Sequence, residues 1–159
     1  MEIQTMLERM DRRYAVFGQL FQINNRLQAI ANRYLGEITV KQWFFLACLS
    51  SLFPTPPSLT ELGEAMGCSR QNVKQLALKL AEKGLIQLLP DERDRRTLRV
   101  HMTAQMTAYG AESVAWQEAF ISRLFSALDK RELDGTFTAL IKLENALAQL
   151  EREKEEGQK

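Results

Sequence analysis

The sequence predicts a mainly α-helical fold: a middle segment carries one two-stranded hairpin, and long helices flank it. Three observations predict this. Apolar residues recur every three or four positions through most of the chain. Capping residues (Ser58, Ser69, Asp129) and stop glycines (Gly36, Gly67, Gly84) bracket those runs. Strand-like patterning is confined to residues 85–89 and 97–102, which are joined by a highly charged loop.

Residues 1–35 read as one long helix. Ile3, Met6, Met10, Phe17, Leu20, Leu27, Ala31 and Tyr34 keep the helical spacing, Leu7, Tyr14 and Phe21 widen the stripe, and Gly36 closes it. Asn24 falls on the same stripe, where its amide needs a partner. At 1.5 Å per residue this helix is about 50 Å long, more than a small core covers, so it is expected to lie against another chain. Thr39 opens a second helix through about residue 51, and Trp43, Phe44, Leu46, Ala47 and Leu49 make it apolar nearly all round, which predicts burial. Phe53-Pro54-Thr55-Pro56-Pro57 ends it, since proline lacks an N–H and restricts its predecessor.

Ser58-Leu59-Thr60-Glu61 is a capping box that starts a short third helix, with Leu59, Leu62, Ala65 and Met66 inward and Gly67 as its stop. Ser69 caps a fourth, with Val73, Leu76, Ala77 and Leu80 inward and Gly84 at its end. After the hairpin, residues 104–127 return to helix through Val114, Ala119, Ile121, Leu124 and Phe125. Asp129 caps a last helix carrying Leu133, Phe137, Leu140, Ile141, Leu147 and Leu150. Glu144 lies within that stripe: either it meets a base across an interface, or the helix is rotated from this reading. The charged tail from residue 151 is expected to fray. The reading divides the chain into a first dimerisation helix (1–36), a middle domain (37–103) and carboxy-terminal dimerisation helices (104–159).

Composition excludes whole classes. With 45% hydrophobic and 26% charged residues in 159, the chain is neither collagen-like nor disordered. Cys48 and Cys68 are too few for a disulfide framework. Residues 1–4 show no signal-peptide pattern, and no run approaches the roughly 18 apolar residues of a membrane span, so a cytoplasmic protein without a membrane partner is expected. The net charge of +1 conceals its distribution: residues 69–99 hold eight basic groups against four acidic, whereas 104–159 hold seven against ten. A basic patch sits inside a neutral chain.

Two short helices joined by Gly67-Cys68, then a hairpin with a basic loop, form a winged helix-turn-helix pattern. The amino-terminal turns of such a second helix reach base edges in the major groove. Here those turns offer Arg70, Gln71, Asn72, Lys74 and Gln75, once Val73 is buried. Asn and Gln pair with adenine and Arg and Lys with guanine, while Ser69 and the free N–H groups at the helix start suit a phosphate. A merely solvated helix face would show similar residues, but the loop that follows does not fit a plain hairpin. Asp91-Glu92-Arg93-Asp94-Arg95-Arg96 is six charges in a row, without Asn-Gly or Asp-Gly turn chemistry. Asp94 and Arg96 are expected to brace it, leaving Arg93 at the tip for a minor groove, with Arg95 beside it.

The segments Leu59-Thr60-Glu61-Leu62-Gly63, Ser69-Arg70-Gln71-Asn72-Val73, Leu80-Ala81-Glu82-Lys83-Gly84-Leu85-Ile86, Asp91-Glu92-Arg93-Asp94-Arg95-Arg96 and Met102-Thr103 together resemble the MarR family of bacterial transcription regulators. The loop matches that family's D-x-R-D-x-R pattern, and the likeness covers residues 35–110 by motif. The resemblance implies a homodimer whose first, fifth and last helices interlock. It implies a recognition helix at residues 69–82 and a minor-groove arginine at Arg93. It also implies double-stranded DNA with a pseudo-palindromic operator as partner, a repressor role, and release by a small phenolic or lipophilic effector bound between the dimer and DNA lobes. The chain departs from the family at Met102-Thr103-Ala104-Gln105-Met106-Thr107, where L-T-x-x-G is frequent. That alters the start of the fifth helix.

Tyr14, Phe17 and Phe21 on the first helix and Trp43 and Phe44 on the second are the candidate effector-pocket residues; aromatic stripes at this spacing also serve as plain core. Redox control through Cys68 is an alternative, because a helix start and the nearby Arg70 favour thiolate. The peroxide-sensing branch of the family, however, carries its cysteine near the start of the first helix, and this first helix has none. A winged helix that binds only protein is a second alternative, one that has no use for an arginine at the loop tip. Catalytic residues, metal ligands and cofactors are not expected: His101 is the only histidine, and no phosphate loop or nucleophile-base pair is visible.

Overall fold

Helix α1 (Arg12–Leu35) starts at Asp11, whose carboxylate accepts the N–H of Arg13 at 2.9 Å and pairs with its guanidinium at 2.8 Å. The expected single helix over residues 1–35 is thereby corrected. The chain leaves helical conformation at Met10 and Asp11, because an aspartate carboxylate competes for the next turn's N–H groups and so begins a new helix. The computed structural model describes residues 9–157, with the side chain of residue 155 set aside; Ile3, Met6 and Leu7 lie outside the described residues. The chain divides into two compact units, one running to Ala108 and the other from Tyr109.

In the first unit α1 stops at Gly36, whose φ of +62° only glycine adopts readily. Asn24 finds its partner on the same helix, where the Gln28 amide donates to it at 3.0 Å. Helix α2 (Val40–Leu52) is capped by Thr39, and the capping box is completed by Gln42, whose side chain accepts the Thr39 N–H at 2.9 Å and is buried. Phe45, Leu46, Cys48 and Leu49 face the core. Phe44, read as buried, is instead 43% exposed: α2 has one open side.

Helix α3 (Leu59–Met66) has the expected box, with the Glu61 N–H donating to Ser58 Oγ at 3.2 Å and the Ser58 N–H donating to Glu61 at 2.6 Å. Gly67 ends it in the left-handed region at φ +61°, and the Cys68 N–H reaches back to the Gly63 carbonyl at 3.0 Å. Helix α4 (Arg70–Glu82) is capped by Ser69 and closed at Gly84 (φ +73°), with Gly84 donating to Ala81 and Leu85 to Leu80. That pair of bonds is a Schellman motif. Leu62, Val73, Ala77, Leu80, Ile86 and Val100 are buried where α2, α3, α4 and the hairpin pack together.

Strands β1 (Ile86–Pro90) and β2 (Leu98–Met102) pair antiparallel, with Ile86 opposite Met102 and Pro90 opposite Leu98. The other edge of β2 meets the residues before α3: Ser58 bridges Arg99, and the Val100 N–H donates to the Pro57 carbonyl at 2.8 Å. This tie fixes the root of the hairpin to the helical core. Helix α5 (Ala104–Phe125) starts at Thr103, whose hydroxyl accepts the Met106 N–H at 3.1 Å and lies 2.8 Å from the Gly84 carbonyl. Thr103 thus serves the cap even though the usual glycine is replaced.

The second unit holds the rest of α5, with Trp116 and Phe120 stacked at 5.4 Å, and helix α6 (Lys130–Glu156). Asp129 caps α6 in a box with Glu132. Every apolar residue of the α6 stripe named above is exposed within the single chain, as is Glu144.

Candidate nucleic-acid interface

Helix α4 buries Val73, Ala77 and Leu80 and exposes Arg70, Gln71, Asn72, Lys74 and Gln75. The burial pattern is enough to orient the helix, since residues 73, 77 and 80 share one face. Ser69 is exposed as well, and its hydroxyl accepts the Asn72 N–H at 3.3 Å. The polar side chains of the first turn are therefore exposed together, while Ser69 takes one of the turn's N–H groups. No acidic residue stands in the first turn of α4, which leaves the positive end of its dipole unopposed by the helix itself.

The loop between the strands is shaped by its aspartates. Asp91 Oδ1 accepts the N–H groups of Arg93 (2.8 Å) and Asp94 (3.1 Å), and the Asp91 N–H donates to the Thr97 carbonyl at 2.8 Å. Asp94 accepts the Arg96 N–H at 3.1 Å and the Thr97 hydroxyl at 3.0 Å, while Thr97 donates to the Asp94 carbonyl at 2.9 Å. The tight turn is thus Asp94-Arg95-Arg96-Thr97, and its corner holds Arg95 and Arg96 rather than Arg93.

Arg96 contributes to the bracing only through its backbone N–H. The guanidinium that braces the wing is Arg99, which donates to Asp91 at 2.6 Å and to Glu61 at 2.9 Å. The reason is register: Arg99 lies opposite Leu89, two positions from Asp91 and so on the same face of the hairpin, while Arg96 lies on the turn's corner. Arg93, Arg95 and Arg96 are exposed, with no side-chain ion pair among the described residues. The Arg99 guanidinium, followed by the N–H groups of Arg93 and Asp94, holds the Asp91 carboxyl down to about 2. The Ser58 N–H lowers Glu61 first, and Arg99 adds to it.

A cleft of about 550 Å³ opens beside α4 within the first unit. Its α1 wall is Asn24, Leu27 and Gln28, its α2 wall Val40, Lys41, Trp43 and Phe44, and its α4 wall Asn72, Gln75, Leu76 and Lys79. Of the five aromatic candidates only Trp43 and Phe44 line it. Tyr14, Phe17 and Phe21 lie farther toward the start of α1, exposed, with Phe17 and Phe21 edge-to-face at 5.1 Å. Cys68 also borders the cleft. Its thiol was expected to be favoured as thiolate by the helix start and Arg70; instead burial pushes it up, and the opposing cation is Lys41. Cys48 is raised by burial too. Among the described residues no group of three or more His, Cys, Asp or Glu is placed to hold a metal.

The model of the MarR family matches residues 38–98, from two residues before α2 to the first residue of β2. The helix-turn-helix and the start of the wing are thus similar to the MarR family. Two curated relatives accompany the match. The transcriptional activatory protein BadR of Rhodopseudomonas palustris is 34% identical over 93 residues, which span 55% of this chain and 52% of that regulator. The chain thus spans about half the length of that relative. The transcriptional repressor MprA of Escherichia coli K12 is 26% identical over 133 residues, 82% of this chain and 76% of MprA. The solved MepR-DNA complex of S. aureus has the same fold, with a TM-score of 0.75 at 21% identity over 82% of this chain and 97% of that one.

Three residues of this site were missed by sequence reasoning. Arg99 was counted as part of a basic patch, though its partners lie far off in sequence. Asp91 shares the wing's shaping with Asp94. Gly63 packs so closely that a Cβ there would stand 2.9 Å from the Cys68 carbonyl oxygen. A glycine inside an otherwise good short helix was the available signal.

Proposed function

We propose that the chain is a sequence-specific DNA-binding regulator that acts as a homodimer, represses transcription from pseudo-palindromic operators and is released by a small molecule. The observation that carries the DNA reading is the coincidence of two exposed sets: Arg70, Gln71, Asn72, Lys74 and Gln75 on one helix, and three unpaired arginines on the adjoining wing. The first set suits base edges in a major groove, with Ser69 and the helix start toward phosphate, and the second suits a minor groove. Relatives support it: MepR was solved with DNA, and of the two curated regulators the match covering more of this chain is to a repressor. In this reading residues 37–103 hold the DNA, while 1–36 and 104–159 hold the second copy. No helix among the described residues is long and apolar enough to cross a membrane, consistent with action in the cytoplasm.

The effector reading rests on the cleft. Trp43, Phe44 and Leu76 offer an apolar wall and Lys41 and Lys79 offer cations, a combination that suits a phenolate or aromatic carboxylate. Asn72 and Gln75 belong to both the cleft and the base-reading face, so occupancy of one opposes occupancy of the other.

Selection of bound duplexes from a random library tests the function. Enrichment of an inverted repeat is the expected result, and an Arg93→Ala, Asn72→Ala double variant should lose at least the roughly 1–3 kcal/mol of one base contact. No enrichment, or unchanged affinity in the double variant, returns the chain to a protein-binding module.

A further inference from the structure

Arg99 stands on β2 at the junction of three backbone segments. Its Nε donates to Asp91 Oδ2 at 2.6 Å; its Nη1 donates to Glu61 Oε2 at 2.9 Å and approaches the Pro56 carbonyl at 3.3 Å. Each partner holds something else. Asp91 gathers the N–H groups of Arg93 and Asp94, which set the first half of the wing loop. Glu61 takes the Ser58 N–H and closes the cap of α3. Pro56 precedes the proline whose carbonyl receives the Val100 N–H.

The hairpin root is already tied to the core by backbone bonds, but residues 91–97 project beyond the Pro90-Leu98 pair. Among the described residues, the Asp91-Arg99-Glu61 chain is the only set of side-chain bonds that connects this loop to α3. The cluster holds two carboxylates against one guanidinium, so it carries a net negative charge and is a poor place for a phosphate.

We propose that Arg99 is a positioning residue: by bridging Asp91 and Glu61 it holds the wing arginines at a fixed offset from α4, and it does not itself contact DNA. This rests on the DNA-binding reading above. A helix in the major groove and a loop in the neighbouring minor groove engage together only if their separation is set. Setting it before binding removes an ordering cost from the complex.

Charge and position make opposite predictions, and this allows a clean test with the full chain and the duplex recovered by selection. Asp91→Asn keeps an oxygen for the two loop N–H groups but turns an NH2 group toward Arg99. If charge alone mattered, loss of an anion near DNA would tighten binding. The positioning role predicts binding weaker by about tenfold, the order of one lost arginine contact. It also predicts that this loss disappears when Arg93, Arg95 and Arg96 are already alanine. Equal or tighter binding by Asp91→Asn, or an undiminished loss in the arginine-free wing, overturns the proposal.

Should Asp91→Asn fail to fold, Glu61→Gln enters the same cycle with the same expectation. Amide hydrogen exchange gives a readout independent of DNA: residues 91–97 should exchange faster in Arg99→Gln than in the parent, and unchanged exchange overturns the strut. Failure of the DNA reading is distinct, because then the parent itself retains no duplex.

Discussion

Gly63 lies inside α3, where glycine weakens a helix, yet the site admits nothing larger. A Cβ would meet the Cys68 carbonyl oxygen at 2.9 Å, and the flanking Gly67 bends the chain back at φ +61° to bring that carbonyl there. Gly63→Ala should therefore destabilise the first unit by about 1–3 kcal/mol, as overpacking does, despite alanine's better helix propensity. Denaturant melts of the two proteins decide this; a stabilised variant shows that the turn yields freely. Asp91 supplies a second test at this scale. Its carboxyl is held at about 2 against an ordinary 3.8, so the folded state favours its ionised form. The resulting stabilisation is fully present above about pH 4 and is lost as pH falls from there through about 2. Asp91→Asn should flatten that part of the acid limb in pH-dependent melts, and an unchanged limb would show that the bond to Arg99 has no energetic consequence.

Among elements, the caps were legible because they are local. Ser58 with Glu61, Ser69, Asp129 and Gly84 act on residues within five positions, and each stands where sequence pattern placed it. The exposed face of α4 was equally legible, since three buried positions orient a helix. What escaped was non-local or hidden by a misleading stripe. Arg99 and Glu61 are 38 positions apart, a separation that periodicity does not register. The stripe through Met10 looked continuous, but the Asp11 cap interrupts it. Phe44 was assigned to the core because α2 is apolar nearly all round, whereas the cleft leaves that side open. The wing carries its own prediction. With three arginines exposed and unpaired, removal of Arg93, Arg95 or Arg96 should each weaken duplex binding. Each that contacts a phosphate should also lower the slope of log K against log salt by about 0.9. Titrations at several salt concentrations give both numbers. A slope unmoved by the triple alanine variant would mean that the wing stays off the DNA.

For the whole molecule the decisive quantity is apolar surface with nothing over it. Among the described residues helix α6 buries none in the single chain: Phe137 is 66% exposed, Leu147 61% and Leu150 60%. The start of α1 repeats the pattern, with Tyr14 at 67% and Phe17 at 61%. Soluble monomers rarely leave contiguous apolar stripes of this extent open, whereas a two-fold dimer covers such a stripe with its own copy. The charge distribution agrees with that arrangement, because the segment from residue 104 onward is acidic and the basic patch lies at residues 69–99. In the proposed dimer, pairing through the acidic segment would double the number of reading heads, so a whole-chain charge of +1 would understate what DNA meets. Phe137→Glu with Leu147→Glu places two charges in the stripe while leaving α4 and the wing intact. Sedimentation should show the parent at twice the chain mass of 18.3 kDa and the variant at that mass. The variant should also lose its preference for inverted repeats over single half-sites, since one head reads only one half. A double variant that stays dimeric, or a parent that sediments as a single chain, would place the partner of these helices elsewhere.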